Sequence, residues 1–263
     1  MKTKLVVVGA AGRMGRRIVA LAVESGQFDI AGAVERQGHP DVGKDAGILA
    51  GAGAIDIKLT DTFPTGSEVA IDFSLAEAAD ETLDYCLENK LALVSGTTGL
   101  SSSQREKFTA ASKTIPIIYG TNMSVGMNVL FNLVGKVATM LGDEYDIEIT
   151  EQHHRFKKDA PSGSALTLAE NICEATGRDI ETTLTHGRSG ESLRQKGTIG
   201  MHAVRAGDII GDHSVIFGTL GETVTVNHTA NSRDTFVRGA LRAAKWLVGK
   251  EPGLYSMGDV LGI

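Results

Sequence analysis

The chain has 263 residues and a formal charge of −6, with 42% hydrophobic, 22% charged and only 5% aromatic residues. This is the profile of a soluble globular protein with an aliphatic core, arranged as one large domain or two medium ones. The acidic balance argues against a general nucleic-acid binder, which needs a basic surplus. Two cysteines, Cys86 and Cys173, cannot form a disulfide framework; both fall in segments of helical period and are expected as reduced core thiols. No apolar run approaches the roughly 18 residues of a membrane span, and the N-terminal apolar stretch is too short for a signal-peptide core. A cytoplasmic protein without membrane or nucleic-acid partners is expected.

The aliphatic run Leu5 to Val8 predicts a strand buried on both faces. It ends in Gly9-Ala10-Ala11-Gly12-Arg13-Met14-Gly15, followed by a helical run. Glycines at this spacing permit a tight turn and close backbone approach, and the helix start offers free N–H groups to a pyrophosphate. A second strand, Ile30 to Val34, ends at Glu35, 20 residues beyond Gly15 and suited to an adenosine ribose hydroxyl. Arg36 and Arg13 could meet a 2′-phosphate, so both NADH and NADPH are expected as cofactors. The segment from 37 to 68 is glycine-rich and poorly periodic; it is expected as a long loop with one short strand near Ile55 to Leu59. Strands then follow at Val69–Phe73, Leu91–Val94 and Ile115–Tyr119, with helices at Glu77–Asn89 and Ser102–Ser112 between them. Gly96, Thr97 and Thr98, and Gly120, Thr121, Asn122 and Met123, come after strand C-termini, where open parallel sheets bind ligands. They are candidates to line the nicotinamide end.

After a helix over Val125–Leu141 the pattern changes. Segments Asp146–Thr150, Thr198–Val204, Asp208–Ile210, Ser214–Phe217 and Thr223–Asn227 predict successive strands joined by short turns. The fold class expected is therefore α/β: a Rossmann-type doubly wound parallel sheet with an inserted α+β domain containing a mixed or antiparallel sheet. The exit helix, Asp234–Val248, carries Phe236, Ala240, Ala244 and Leu247 on one face and is expected to pack on the first domain. The division is residues 1–124 with 234–263 for the dinucleotide, and 125–233 for substrate binding and oligomerisation. The crossings near 124 and 234 would serve as hinges. A sheet face not covered by helices needs a partner, so a homo-oligomer is expected.

Within the second region, after the strand Asp146–Thr150, stands EQHHRFKKDAPSGSALTLAE, residues 151 to 170. Its second half predicts a helix with apolar positions at 165, 168, 169, 172 and 173. The first-turn N–H groups of Gly163 and Ser164 suit a carboxylate, and Gly163 carries no side chain to hold a ligand away. Lys157 and Lys158 add positive charge. Metal binding by His153 and His154 is not expected, because no HExxH or CxxC pattern supplies further ligands.

This segment closely resembles the signature E-x-H-H-x-x-K-x-D-A-P-S-G-T-A of the 4-hydroxy-tetrahydrodipicolinate reductase (dihydrodipicolinate reductase) family of lysine and diaminopimelate biosynthesis. The resemblance runs along essentially the whole chain, through VGAAGRMG, Glu35-Arg36, IDF at 71–73, GTTG at 96–99, NMSVGMN at 122–128, GTIG at 197–200 and VRAGDIIGDH at 204–213. It implies that His153 is the catalytic acid/base and Lys157 a second proton donor, and that His154, Gly163 and Ser164 bind a small dicarboxylate substrate. Ser164 stands where the family usually has Thr, which keeps the hydroxyl. It also implies that Gly9, Ala10, Ala11, Gly12, Arg13, Met14, Glu35, Arg36, Gly96, Thr97, Thr98, Gly120, Thr121, Asn122 and Met123 touch the dinucleotide. A homotetramer is implied in the same way. The main rival is an aspartate- or homoserine-type dehydrogenase on the same plan; chemistry through a thioester would need a reactive cysteine. A catalytically silent dinucleotide sensor would need no proton donor beside a carboxylate site.

Overall fold

β1 (Thr3–Val8) is buried from Leu5 onwards and turns directly into α1 (Arg13–Ser25), as a strand covered on both faces should. The structure is a computed structural model describing residues 1–263. The chain continues through β2 (Phe28–Val34), α2 (Ala46–Ala50), β3 (Leu59–Thr60), β4 (Val69–Asp72), α3 (Ala79–Asn89), β5 (Ala92–Ser95), α4 (Ser102–Ala111) and β6 (Pro116–Tyr119). Then come α5 (Val125–Leu141), β7 (Asp146–His153), α6 (Gly163–Thr176), α7 (Ile180–Thr183), β8 (Leu184–His186), β9 (Ile199–Arg205), β10 (Asp212–Thr219) and β11 (Glu222–Thr229). The last elements are α8 (Asp234–Leu247), β12 (Gly253–Tyr255) and α9 (Met257–Leu261). Two compact units result, Met1–Val125 with Asp234–Gly262, and Gly126–Arg233.

The first unit is a seven-stranded parallel sheet in the order β12-β6-β5-β4-β1-β2-β3. Strand period 2 sorts its apolar residues onto two faces. Leu5, Val7, Ile71 and Val94 meet Ile18 and Val19 of α1 and Ala240 and Ala244 of α8. Val6, Val8, Ala70 and Leu93 meet Leu83 and Cys86 of α3 and Phe108 of α4. Helices on both faces make the sheet doubly wound. The chain order reverses between β1 and β4, so their C-terminal ends open a crevice.

The second unit carries a five-stranded mixed sheet, β11-β10-β7-β9-β8, antiparallel on the β10 side of β7 and parallel on the β9 side. One face packs on α5 and α6, where Met127, Val134, Leu168 and Ile172 close over Ile149, Met201, Val215 and Phe217. Burying each such side chain contributes about 1.5–3 kcal/mol. The opposite face carries Glu148, which accepts from Arg188 at 2.8 Å, Arg194 at 3.1 Å and His202 at 2.6 Å. Burial pushes that carboxyl up, but the hydrogen bonds from Arg188 and His202 and the charges of Arg188 and Arg194 outweigh it and hold it at about 2. With its 3-10 extension, α5 (Val125–Glu144) has a mean hydropathy of 1.3 and by length and composition alone could cross a bilayer; its inner residues belong to this core.

Several local expectations are corrected. Asp208–Ile210 is not a strand, because its neighbourhood turns back on the end of β7: Ala206 N–H donates to His153 O and Arg155 N–H to Gly207 O. The region 37–68 contains a helix, α2, nucleated by Asp45, whose carboxylate accepts from the N–H groups of Ile48, Ile55 and Asp56. The strand expected at Ile55–Leu59 is confined to Leu59–Thr60. On α8 the buried face is centred on Val237, Ala240, Ala244 and Leu247, with Phe236 only half-buried. The short elements α7, β8 and β12 carry no readable period and were not expected. Cys86 and Cys173 are free and buried, and burial pushes both thiols up, away from nucleophilic chemistry.

Candidate active site

In the first unit, β1 delivers the chain at Val8 into Gly9, whose φ of 74° belongs to the left-handed region. A Cβ on Gly15 would lie 2.1 Å from Gly9 O, so only glycine lets α1 close against the turn. Gly12 is the N-cap of α1 and makes no side-chain cap, leaving the helix start open. Glu35, at the end of β2, accepts from Ala11 N–H at 3.2 Å and Arg36 N–H at 3.0 Å. A cavity of about 680 Å³ lies here, lined by Gly9, Gly12, Glu35, Arg36, Phe73 and Ser74 among others. Ala10, Ala11 and Met14 turn their side chains towards the core, and the N–H groups of Ala10 and Ala11 donate to Val34 O and Glu35; Arg13 is exposed.

Gly96, Thr97 and Thr98 follow β5, and Gly120, Thr121, Asn122 and Met123 follow β6; neither group lines that cavity. A Cβ on Gly96 would strike the Phe73 ring at 2.4 Å, and Gly120 N–H donates to Ser95 O. Thr97 and Met123 are buried, so their side chains are committed to the interior. Asn122 closes its own turn by accepting from Ser124 N–H at 2.9 Å. In this unit sequence reasoning missed Asp72, fully buried at the end of β4. Its carboxyl oxygens accept from Thr97 Oγ1 at 2.8 Å, Ser95 Oγ at 3.3 Å and Ser74 N–H at 2.9 Å.

In the second unit the inward period of β7 runs Ile147, Ile149, Glu151, His153. The same alternation that buries two aliphatic side chains therefore buries a carboxylate and an imidazole. Glu151 is wholly enclosed and accepts from His153 Nδ1 at 2.6 Å, Arg205 Nη1 and Nη2 at 2.8 and 2.7 Å, and Ser162 N–H at 3.0 Å. Burial pushes Glu151 up, but the bonds from His153, Arg205 and Ser162 prevail and hold it at about 2. An ionised carboxylate can only accept, so Nδ1 of His153 carries the proton of that bond. Nε2 is left facing Gly211, where a Cβ would stand 3.1 Å away. The His213 ring lies edge-on to His153, 5.2 Å between centroids. Burial first, then the nearby His153, pushes His213 down to about 3, so it stays neutral.

Past His153 the loop turns through a bond from Lys157 N–H to His154 O, and Lys157 Nζ pairs with Asp159 at 2.9 Å. Lys158 is exposed, and His154 is half-buried beside Phe156. Ser162 caps α6 by accepting from Ala165 N–H, which leaves the first turn at Gly163 and Ser164 facing outwards, half-exposed. A Cβ at Gly163 would meet nothing within 4 Å, so packing does not demand this glycine. Through Glu151 the structure thus ties His153 directly to the start of α6. No group of three or more His, Cys, Asp or Glu side chains is arranged to hold a metal ion. Sequence reasoning gave no role to Glu151, Arg205, Gly211 or His213, although Glu151 opens the EQHH signature at even spacing from Ile147 and the other three stand in VRAGDIIGDH at 204–213.

Family models described as dihydrodipicolinate reductase N-terminus and C-terminus match residues 3–123 and 126–261. The chain belongs to the dihydrodipicolinate reductase family. It is 46% identical to the 4-hydroxy-tetrahydrodipicolinate reductase of Trichlorobacter lovleyi over 99% of each chain. It is equally close to the enzyme of that name from Geobacter sulfurreducens, at 46% over 99% of each. Among solved structures, the dipicolinate-bound dihydrodipicolinate reductase of Paenisporosarcina sp. TG-14 shares the fold at TM-score 0.74, with 21% identity over 97% of this chain and 98% of that one. An amine dehydrogenase from Mycobacterium smegmatis also shares the fold, at TM-score 0.66 and 13% identity, over 98% and 95% of the two chains. The C-terminal dihydrodipicolinate reductase model takes in α8 and β12, which pack in the first unit here.

Proposed function

We propose that this chain reduces 4-hydroxy-tetrahydrodipicolinate to tetrahydrodipicolinate with loss of water, at the expense of NADH or NADPH. The first unit fits the dinucleotide. Its glycine turn admits close backbone approach, the start of α1 is open to a pyrophosphate, and Glu35 stands at the cavity for a ribose hydroxyl. When bound, the cofactor supplies hydride from nicotinamide C4. The second unit holds the substrate: Lys157 and the α6 start at Gly163 and Ser164 receive its carboxylates, with His154 beside them.

The observation that carries this reading is the Glu151–His153 pair placed against the capped start of α6. Loss of the substrate hydroxyl leaves a conjugated C=C–C=N system, and hydride addition at its far carbon sends negative charge to the ring nitrogen. His153 Nε2 supplies the proton there, a contribution of about 10²–10⁴-fold. The Lys157 ammonium stabilises the developing charge. The same unit's uncovered sheet face, with β11 as an edge, supports assembly into a homotetramer, and the enzyme works in the cytoplasm.

The deciding experiment offers purified protein the freshly made condensation product of pyruvate and aspartate semialdehyde and follows nicotinamide absorbance. Loss of absorbance only with that substrate is expected. No loss with either NADH or NADPH would overturn the proposal.

A further inference from the structure

We propose that Glu151 and Arg205 act as an opposed positioning pair for His153, the carboxylate fixing Nδ1–H and favouring the imidazolium, the guanidinium setting how strongly it does so. This deepens the reading of His153 as proton donor and rests on it. The geometry is that of a clamp: Arg205 gives both terminal nitrogens to the two Glu151 oxygens, and Nη2 also donates to Asp159 O at 2.6 Å. Because Glu151 is enclosed, neither its charge nor its orientation is screened by water. A carboxylate with only His153 as cation would hold the imidazolium very tightly and make it a poor acid. Arg205 draws on the same oxygens and offsets that attraction, leaving a proton that Nε2 can release.

The charged and titratable groups facing His153 are few. Glu151 is on its own strand, Arg205 ends β9, His213 comes from β10, and Lys157 with its partner Asp159 lies on the loop after β7. His213 is buried, its Nδ1 has no hydrogen-bond partner, and it stays neutral, so it adds shape rather than charge. His228 lies behind it, 6.4 Å from its ring. Glu151 and Arg205 are therefore the charged pair joined to the imidazole in one hydrogen-bonded network.

Two single variants should move the pH profile of kcat in opposite directions. Glu151→Gln removes the anion, so the limb on which activity falls with rising pH shifts down by about one unit. Its kcat drops by about 10²-fold, with KM for substrate and NADH held within about threefold. Arg205→Met removes the opposing cation, so the limb shifts up by about one unit. Arg205→Lys, which keeps the charge, guards against misfolding of the methionine variant and should leave the limb in place. Independently of turnover, nitrogen-labelled histidine NMR of the unmodified protein should show His153 protonated at Nδ1, and Glu151→Gln should disturb that signal. Shifts of the same sign in both variants, no shift in either, or a neutral ring protonated at Nε2 would each overturn the positioning pair. A wild-type enzyme inactive on the condensation product would instead overturn the assigned reaction, and the NMR result would still decide the pair.

Discussion

Thr97 turns its hydroxyl inward onto Asp72, 2.8 Å away, in the interior beneath the loops that follow β4 and β5. The same carboxyl group accepts from Ser95 and from Ser74 N–H, so one buried residue fixes the backbone of two ligand-edge loops. Asp72→Ala would strand two hydroxyls, at a cost of about 1–3 kcal/mol for each buried group left unpaired. Urea unfolding should record the loss, and NADH titration should show weakened binding. Full stability with undiminished affinity would remove Asp72 from this role.

Two glycine substitutions should separate packing from binding. Gly15→Ala forces a methyl onto Gly9 O and should weaken NADH binding by about tenfold or more, with lowered stability. Gly163→Ala meets open space, so the melting temperature should hold while substrate KM rises. If Gly163→Ala binds and turns over substrate normally, the start of α6 is not the carboxylate site.

Gly211→Ala places a methyl 3.1 Å from His153 Nε2 without straining the backbone. Turnover should fall by about tenfold or more while NADH affinity, measured by fluorescence, stays put. An unchanged kcat would mean that Nε2 does not need the space above Gly211.

Acid should destabilise the protein in two stages. His213 is held neutral, its value lowered from 6.5 to about 3 by burial, so the unfolded state binds more protons between those values. Its stabilisation is complete above pH 6.5 and is lost as pH falls towards 3, at about 1.4 kcal/mol per unit. Glu151 is lowered from 4.5 to about 2, so its share is complete above 4.5 and disappears on the way down to 2. Thermal melts should decline from about pH 6.5, and His213→Asn should flatten the slope above 4.5. A wild-type curve that is flat from 7 to 4.5 would contradict a buried neutral His213.

Arg36 is exposed at the cavity beside Glu35 and is free to reach a 2′-phosphate. Arg36→Ala should raise KM for NADPH by about fivefold to tenfold and leave that for NADH within about twofold. Steady-state kinetics with both cofactors tests this, and equal effects on the two would assign Arg36 to the shared part of the dinucleotide.

Much of this molecule is readable locally. Leu5–Val8, Val69–Ile71 and Leu93–Val94 announce themselves because central parallel strands are apolar on both faces, and the turn at Gly9–Gly15 because only glycine fits it. The segment Glu151–Glu170 is legible as chemistry because its residue types have no structural need to stand together. The elements that escaped were short: α2 depends on Asp45 capping across a loop, and β12 exists only because β6 offers an unpaired edge. Asp208–Ile210 looks like a strand and is not, because its neighbours bond to the end of β7 instead of a ladder.

The sequence by itself determined the alternation of strands and helices, the phosphate-type glycine turn, and the identity of His153, Lys157, Gly163 and Ser164 as chemical groups. These are properties of near neighbours, encoded by period and residue type. Only the tertiary structure decided which groups surround His153. Arg205 and His213 are brought beside Glu151 and His153 by the pairing of β9 and β10 with β7, across separations of more than 50 residues. Register between distant strands is set by burial of the whole sheet face, and no local pattern reports it.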